Sequence, residues 1–363
     1  MGGFRNSILE INTSALIHNL SCFLNKIDAR DNLILVLKAN AYGAGAIEVA
    51  RLFENEPRVE YYAVASISEG AELREAGILK RIIVLSPSFD ELNLLTKHQL
   101  EPVIFNPNLL SQIALESQNS KPTNIHLNLD TGMHRVGFSK NELGELIRVL
   151  KSNSSIKVAT AFSHYSASGR ESFDEFSNLQ SNAFSEMVTE LTSALSYPIK
   201  THLNNSGGIE RFGNDGQPLH RLGIGLYGIS SIAENLKSVF TWKVTVSHIQ
   251  WVKKGESVSY NRSWVAPEKR KIATVFVGYA DGLNRRLSNG KWALKFENNN
   301  LPIVGNICMD LCMVDATNCD IQLGDILTIL NSIEDVNTLA AKLETISYEV
   351  FTSFSRSTKR VYT

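Results

Sequence analysis

The stretch "NLILVLKANAYGAGA" (residues 32–46) runs an apolar segment straight into Lys38 and then into a polar, glycine-studded turn. A charge is expensive to bury, and most lysines so placed lay their stem along apolar surface and keep the ammonium wet. The other use of such a lysine is covalent: partial burial lowers its pKa, and the amine forms a Schiff base with a carbonyl group. Two turns further along, "NSGG" (205–208) and "GIG" (223–225), complement that chemistry. Their backbone N–H groups, with the Ser206 hydroxyl, can cradle a phosphate dianion without a fixed cationic side chain. Pyridoxal 5′-phosphate carries both the carbonyl and the phosphate that these features require. Arg221 precedes the second turn, Arg135 lies in "DTGMHRVG", and His164 and Tyr165 lie in "FSHYSASG". Beside a pyridoxal ring, Arg221 would donate a hydrogen bond to the ring nitrogen and leave it unprotonated, because a guanidinium does not give up its proton. The ring is then a weaker electron sink, which suits local proton transfer better than transamination.

These residues need a frame that brings them together. Between residues 33 and 228, apolar runs alternate with amphipathic stretches; the runs are LILVL, YYAVA, RIIVL, EPVIF, NIHLNLD, VATAF, IKTHLN and RLGIGLYG. Helical patterns such as "SEGAELREAG", "NELGELIRVL" and "FDEFSNLQSNAFSEMVTELTSAL" lie between them. Eight strand–helix units predict an α/β fold, a (β/α)8 TIM-like barrel. An open doubly wound sheet is the competitor, but it has fewer strands as a rule and concentrates its site at one switch point. Barrel active sites are built from the C-terminal ends of the strands, and here those ends supply Lys38 and Tyr42, Arg135, His164, Ser206 and Arg221. After about residue 232 the period changes: "SVFTWKVTVSHIQWVKKGESVSYN", "KIATVFVGY", "WALKFENNN", "LPIVGNICMDLCMVDA" and "GDILTIL" alternate polar and apolar between Gly, Asn and Asp turns. That predicts a C-terminal, mostly antiparallel β domain whose one good helix is "VNTLAAKLETI". No Pro/Gly linker marks the boundary, so a tight interface is expected.

Length and composition set the outer bounds. A chain of 363 residues exceeds the usual single core, so two domains are expected. A net charge of −1, without basic blocks or acidic tails, argues against nucleic acid or a membrane surface as partner. Cys22, Cys308, Cys312 and Cys319 show no paired metal-ligand spacing and read as reduced thiols; no metal is expected. The first twenty residues lack the apolar core of a signal peptide and no run approaches spanning length, so the expected location is the cytoplasm.

The motifs "VLKANAYGAG", "HLNLDTGMHRVGF", "HYSASG", "HLNNSGG", "RLGIGLYG", "VSYNRSW", "VGYADG" and "VGNICMDLCMVD" occur in this order between about residues 8 and 350. The set resembles that of bacterial alanine racemases. The resemblance implies that the first strand, "ILEIN", joins the C-terminal domain, giving a barrel over 11–232 and a β domain of 1–10 plus 233–363. It implies a homodimer in which each active site borrows residues from the other subunit, interconverting L- and D-alanine to supply D-alanine for peptidoglycan. Carried over position by position, Lys38 is the cofactor-binding lysine and the base on the D-face, and Tyr260 in "SVSYNRS" is the opposing base. Inversion needs a proton donor on each face, so two bases are what the chemistry demands. A phenol with pKa near 10 needs help as a base, which the family supplies through His164 and, behind it, Arg221. By the same resemblance Arg135 and the Met309 backbone N–H hold the substrate carboxylate. Tyr42, Ser206, Gly223 and Ile224 hold the phosphate, and Tyr279 and Asp310 flank the entryway.

Three departures from the family pattern stand out. Asn128 occupies the place of a frequent carbamylated lysine, so its amide, or a bound anion, must position Arg135. Ala44 replaces a common histidine, and His134 stands where glycine is common. A phosphate-contacting tyrosine that some members carry after the "YEV" segment falls on Arg356 in a gap-free register from Tyr348. Two other readings stay open: a racemase of another small amino acid such as serine or of broad specificity, and a non-catalytic pyridoxal-phosphate homeostasis protein. The long β domain with Tyr260 argues against the second, and a barrel decarboxylase would be expected to lack the "VSY" base.

Overall fold

The computed structural model describes residues 7–117, 122–230, 232 and 235–363. The chain opens with strand β1 (Ser7–Ile11) and then builds eight parallel strands: β2 (Asn32–Val36), β3 (Val59–Val64), β4 (Arg81–Val84), β5 (Glu101–Ile104), β6 (Thr123–Asn128), β7 (Ile156–Phe162), β8 (Lys200–His202) and β9 (Leu219–Leu222). Their order in the sheet is β8-β7-β6-β5-β4-β3-β2-β9, so the first and last barrel strands are neighbours. The ladder is continuous except at the β8/β9 seam, where the Arg221 N–H donates to the Asn204 carbonyl at 3.0 Å and the ring closes. The apolar runs form strands because both of their faces are covered, by barrel filling inside and helices outside. The helices start at the polar residues that follow each strand: Ser66, Asn106 and Asn205 each accept a backbone N–H of the first turn.

The second sheet is mostly antiparallel: β15 (Asn299–Pro302), β14 (Ala293–Phe296), β17 (Ile326–Leu330), β10 (Phe240–Val252), β1 and β18 (Lys359–Tyr362), in that order, while β13 (Arg270–Val275) bridges β10 and β16 (Cys312–Asp315). Strand β1 lies antiparallel to β10 and parallel to β18, so the first and the last described strands both belong to this sheet. The 13-residue β10 bends at a register shift after Val246, and so serves β1 and β17 with one half and β13 with the other. A short hairpin of β11 (Ser257–Val258) and β12 (Trp264–Val265) projects from this domain. The interface with the barrel is a continuous core: Tyr227 stacks on Phe240, and Phe240 packs on Phe351 and Phe354.

Three elements differ from the sequence reading. "RLGIGLYG" is a strand only as far as Leu222; the rest wraps into a 3-10 turn, Ile224–Tyr227, because the Gly223 and Gly225 N–H groups donate to the Ser206 hydroxyl. The helix expected over "VNTLAAKLETI" spans Ile333–Leu343, and Glu344 ends it in the left-handed region at φ 58°. A second helix, Ser347–Thr352, was not expected, since six residues of "SYEVFT" carry no helical period; burial of Val350 and Phe351 decides it.

Candidate active site

Lys38 follows the last buried residues of β2, and the backbone there does something uncommon. Ala39, Asn40, Ala41 and Tyr42 all lie in the left-handed region, with φ of 54°, 54°, 52° and 53°. Each costs roughly 1–2 kcal/mol in that conformation, so the turn persists only because its surroundings hold it. The Glu69 carboxylate accepts the Ala39 N–H at 2.8 Å and, with its other oxygen, the Ala65 N–H at 2.8 Å. Asn40 accepts the Ala46 N–H through its side chain at 2.9 Å. From the second domain, Arg360 donates to the Gly43 carbonyl at 2.7 Å and Tyr362 to the Ala44 carbonyl at 2.8 Å. The left-handed turn places both Lys38 and Tyr42 on the wall of one cavity. Ala44 itself is fully buried.

That cavity measures about 490 Å³ and opens at the C-terminal ends of the barrel strands. Arg221 lines it from β9, with its guanidinium donating to the carbonyls of Ser163 (2.7 Å), Leu203 (2.9 Å) and His202 (3.1 Å). It also donates to Nδ1 of His202 and, at 3.2 Å, to Nδ1 of His164. Burial, then the charge of Arg135, push the Arg221 pKa down to about 9, which leaves the guanidinium charged at neutral pH. Burial, then the charges of Arg221, Arg135 and Lys38, hold His164 at about 3, so its ring is neutral. Because Arg221 can only donate, His164 accepts at Nδ1 and carries its proton on Nε2. The Lys38 amine is lowered first by burial and next by Arg135, while Glu69 pulls the other way. Its side chain still reaches solvent through the open mouth.

The other wall is a set of neutral donors. The Ser206 hydroxyl accepts the N–H groups of Gly223 and Gly225 and keeps its own proton to donate. The Tyr42 phenol lies on the same wall, and a β-carbon on Gly223 would lie 2.6 Å from the Tyr42 oxygen. Arg135 reaches the cavity from the loop after β6, a loop organised by Asp130, which accepts the N–H groups of Gly132 and His134. His134 takes the glycine-like conformation at φ 53° and bonds Asp130 through its ring at 3.1 Å. Asn128 lines the cavity beside Arg135, yet no hydrogen bond joins the two among the described residues.

Tyr260, Met309, Tyr279 and Asp310 are not in this cavity. They form a separate patch on the second domain, with Tyr260, Met309 and Tyr279 exposed by 68%, 55% and 43%. The patch is stitched by the backbone: Tyr279 N–H to Cys308 carbonyl and Ala280 N–H to Met309 carbonyl, both at 3.1 Å. The Asn306 amide adds a 3.1 Å hydrogen bond to the Tyr260 carbonyl. Gly278 is required here, since a β-carbon would lie 2.2 Å from the Met309 oxygen.

Residues 11–231 match the family model described as "Alanine racemase, N-terminal domain" and residues 239–362 the one for its C-terminal domain. The chain belongs to the alanine racemase family. An alanine racemase of Fusobacterium nucleatum is 36% identical, the alignment covering 97% of this chain and 98% of that protein. Among solved structures, an alanine racemase of Clostridium difficile 630 superposes with a TM-score of 0.92 at 30% identity, covering 99% of this chain and 96% of the other. An alanine racemase of Bartonella henselae, solved with covalently bound pyridoxal phosphate, superposes at 0.86 and 27% identity, with 99% of both chains covered.

Within this alanine racemase fold, one cavity residue escaped the sequence reading. Tyr348 lines the cavity from the unexpected second-domain helix and packs on Tyr42 with ring centroids 6.0 Å apart. Arg356, on which the gap-free register falls, is exposed, lies outside the cavity lining and pairs with Glu72 at 3.5 Å. The tyrosine of "YEV" is itself the aromatic residue at the cavity, and its proximity to Tyr42 is set by a packing contact between domains. Leu85, Ser86 and Asn205 line the same cavity at the strand ends.

Proposed function

We propose that this chain is a pyridoxal-phosphate-dependent alanine racemase that works as a cytoplasmic homodimer and supplies D-alanine for peptidoglycan. The observation that carries the reading is the convergence of Lys38, Arg221 and the Ser206–Gly223–Tyr42 cradle in one cavity. The cradle fits the cofactor: it offers the hydroxyls of Ser206 and Tyr42, and any side chain at Gly223 would fill the space. Lys38 would supply the amine for the carbonyl, Tyr42, Tyr348, Ser206, Gly223 and Ile224 would hold the phosphate, and Arg221 would donate to the ring nitrogen. The cofactor, when bound, makes the α-proton of an attached amino acid acidic enough to remove.

The residues then divide the work. The Lys38 amine, whose pKa is already lowered, exchanges the α-proton on the D-face. The L-face base is Tyr260 of the partner subunit. This assignment explains why Tyr260 is exposed and remote from Lys38 within one chain, and the neutral His164, which lines the cavity, is the group that would meet it. Arg135, which has no hydrogen-bond partner among the described residues, is free to take the substrate carboxylate together with the Met309 N–H of the other subunit. Tyr279 and Asp310 flank the way in. Among the described residues no helix is long and apolar enough to cross a membrane.

The test is racemisation of each enantiomer of alanine and of serine by the purified chain, with an absorbance spectrum before and after borohydride. Interconversion of alanine with a reducible chromophore is expected; absence of the chromophore overturns the cofactor assignment. Preference for serine overturns the substrate.

A further inference from the structure

Arg221 is enclosed in the barrel, charged, and without a carboxylate partner among the described residues. An unpaired charge in such a place needs a counter-charge or a set of aligned dipoles. A chain of side-chain hydrogen bonds supplies both. Arg221 donates to Nδ1 of His202; Nε2 of His202 lies 3.1 Å from the Thr160 hydroxyl; that hydroxyl lies 2.8 Å from Nδ1 of His126; and Nε2 of His126 lies 3.0 Å from a Glu101 oxygen. Arg81 clamps both oxygens of Glu101, at 2.7 and 2.8 Å. His126, Thr160 and His202 are completely buried, whereas Glu101 and Arg81 sit where β5 and β4 begin, at the opposite end of the barrel from the cavity.

Donor chemistry fixes the direction of every link. A guanidinium has no acceptor, so Nδ1 of His202 carries no proton and its Nε2–H donates to Thr160. The Thr160 hydroxyl, having accepted, donates to Nδ1 of His126, whose Nε2–H then donates to Glu101. Burial disfavours protonation of both histidines, consistent with neutral rings throughout. All donors therefore point from Arg221 toward Glu101, and bonds aligned in a low-dielectric interior polarise one another.

We propose that Glu101 is a positioning residue for Arg221: acting through His126, Thr160 and His202, it holds His202 as an acceptor and serves as the counter-charge of the guanidinium. The strength with which Arg221 can donate into the cavity is then set from the far end of the barrel. Only the catalytic consequence of this relay rests on the function proposed above; its direction is a property of the protein itself.

The experiment is nitrogen NMR of the full-length, 15N-histidine-labelled chain, with and without pyridoxal phosphate. Nδ1 of both His126 and His202 is expected to be unprotonated. Glu101→Gln should shift both rings, Thr160→Val should confine that effect to His126, and Thr160→Ser should restore it at His202. With cofactor and alanine, Glu101→Gln should lower kcat roughly tenfold with KM and cofactor affinity unchanged. A protonated Nδ1 on His202, or a His202 response that survives Thr160→Val, overturns the relay. Should Glu101→Gln fail to fold, Thr160→Val alone must shift the His202 Nε2 resonance while Thr160→Ser leaves it near its wild-type position; no difference between them is equally fatal. A chain that fails to racemise but shows these shifts refutes the function and leaves the relay standing.

Discussion

The Tyr42 hydroxyl and the Cα of Gly223 approach so closely that a β-carbon on Gly223 would sit 2.6 Å from the phenol oxygen. Tyr42 follows the first barrel strand and Gly223 the last, so the closure of the barrel and the shape of the cradle are one contact. Gly223→Ala should push the phenol out of the cradle and forfeit a hydrogen bond to a charged ligand, about 1.5–3 kcal/mol or roughly ten- to hundredfold in pyridoxal-phosphate affinity. Fluorescence titration reads this directly; unchanged affinity would remove Tyr42 from the phosphate site.

Lys38 and Tyr260 lie on separate surfaces of one chain, which makes subunit mixing a sharp test of shared sites. Lys38→Ala and Tyr260→Phe should each be inactive alone. Refolded together, they form mixed dimers with one doubly altered and one intact site, so random pairing restores roughly a quarter of wild-type activity. If mixing restores nothing, the Tyr260 assignment fails.

His164 gives the protein an acid limb. Its folded pKa of about 3 lies below the ordinary histidine value, so between about pH 6.5 and 3 the unfolded chain binds a proton that the folded one does not. Stability is therefore full above about 6.5 and falls as pH drops through that window, by about 1.4 kcal/mol per pH unit for this group. His164→Asn should flatten the limb in denaturant melts taken from pH 7 to 4. An unaltered slope would show that the ring protonates within the fold.

Arg360 donates to the carbonyls of Gly43, Ser355, Arg356 and Thr358, and so ties the left-handed turn to the last strand. Arg360→Met should cost about 2–3 kcal/mol of stability, and also weaken cofactor affinity although the residue lies outside the cavity. Loss of stability with affinity intact would mean that the turn keeps its shape without this clamp.

How far these features could be read in advance follows from the range of the interactions involved. The eight barrel strands were legible because a strand covered on both faces must be a short apolar run, and the ends of those runs carry the chemistry. The helix at Ser347–Thr352 was not, because its conformation is decided by Val350 and Phe351 packing at the domain interface and not by a local period. Tyr348 stayed hidden with it. The left-handed course of Ala39–Tyr42 was invisible for a similar reason: glycine is the residue that signals positive φ, and here Glu69, Arg360 and Tyr362 impose it on four other residues. Asn128 was expected to position Arg135 through its amide or through a bound anion; the amide makes no bond to Arg135 among the described residues.

The pairing of β1 with β10 and β18 has a consequence for synthesis. Leu9 and Ile11 are fully buried between partners that begin at residues 240 and 359. On the ribosome, β1 is therefore made before either partner, and at about 5–20 residues per second it waits on the order of 10–50 s for β10 to be translated. Throughout that interval an apolar strand with two open edges is tethered to a barrel that is already assembling, which makes it a natural chaperone target and the place where crowded expression would seed aggregation.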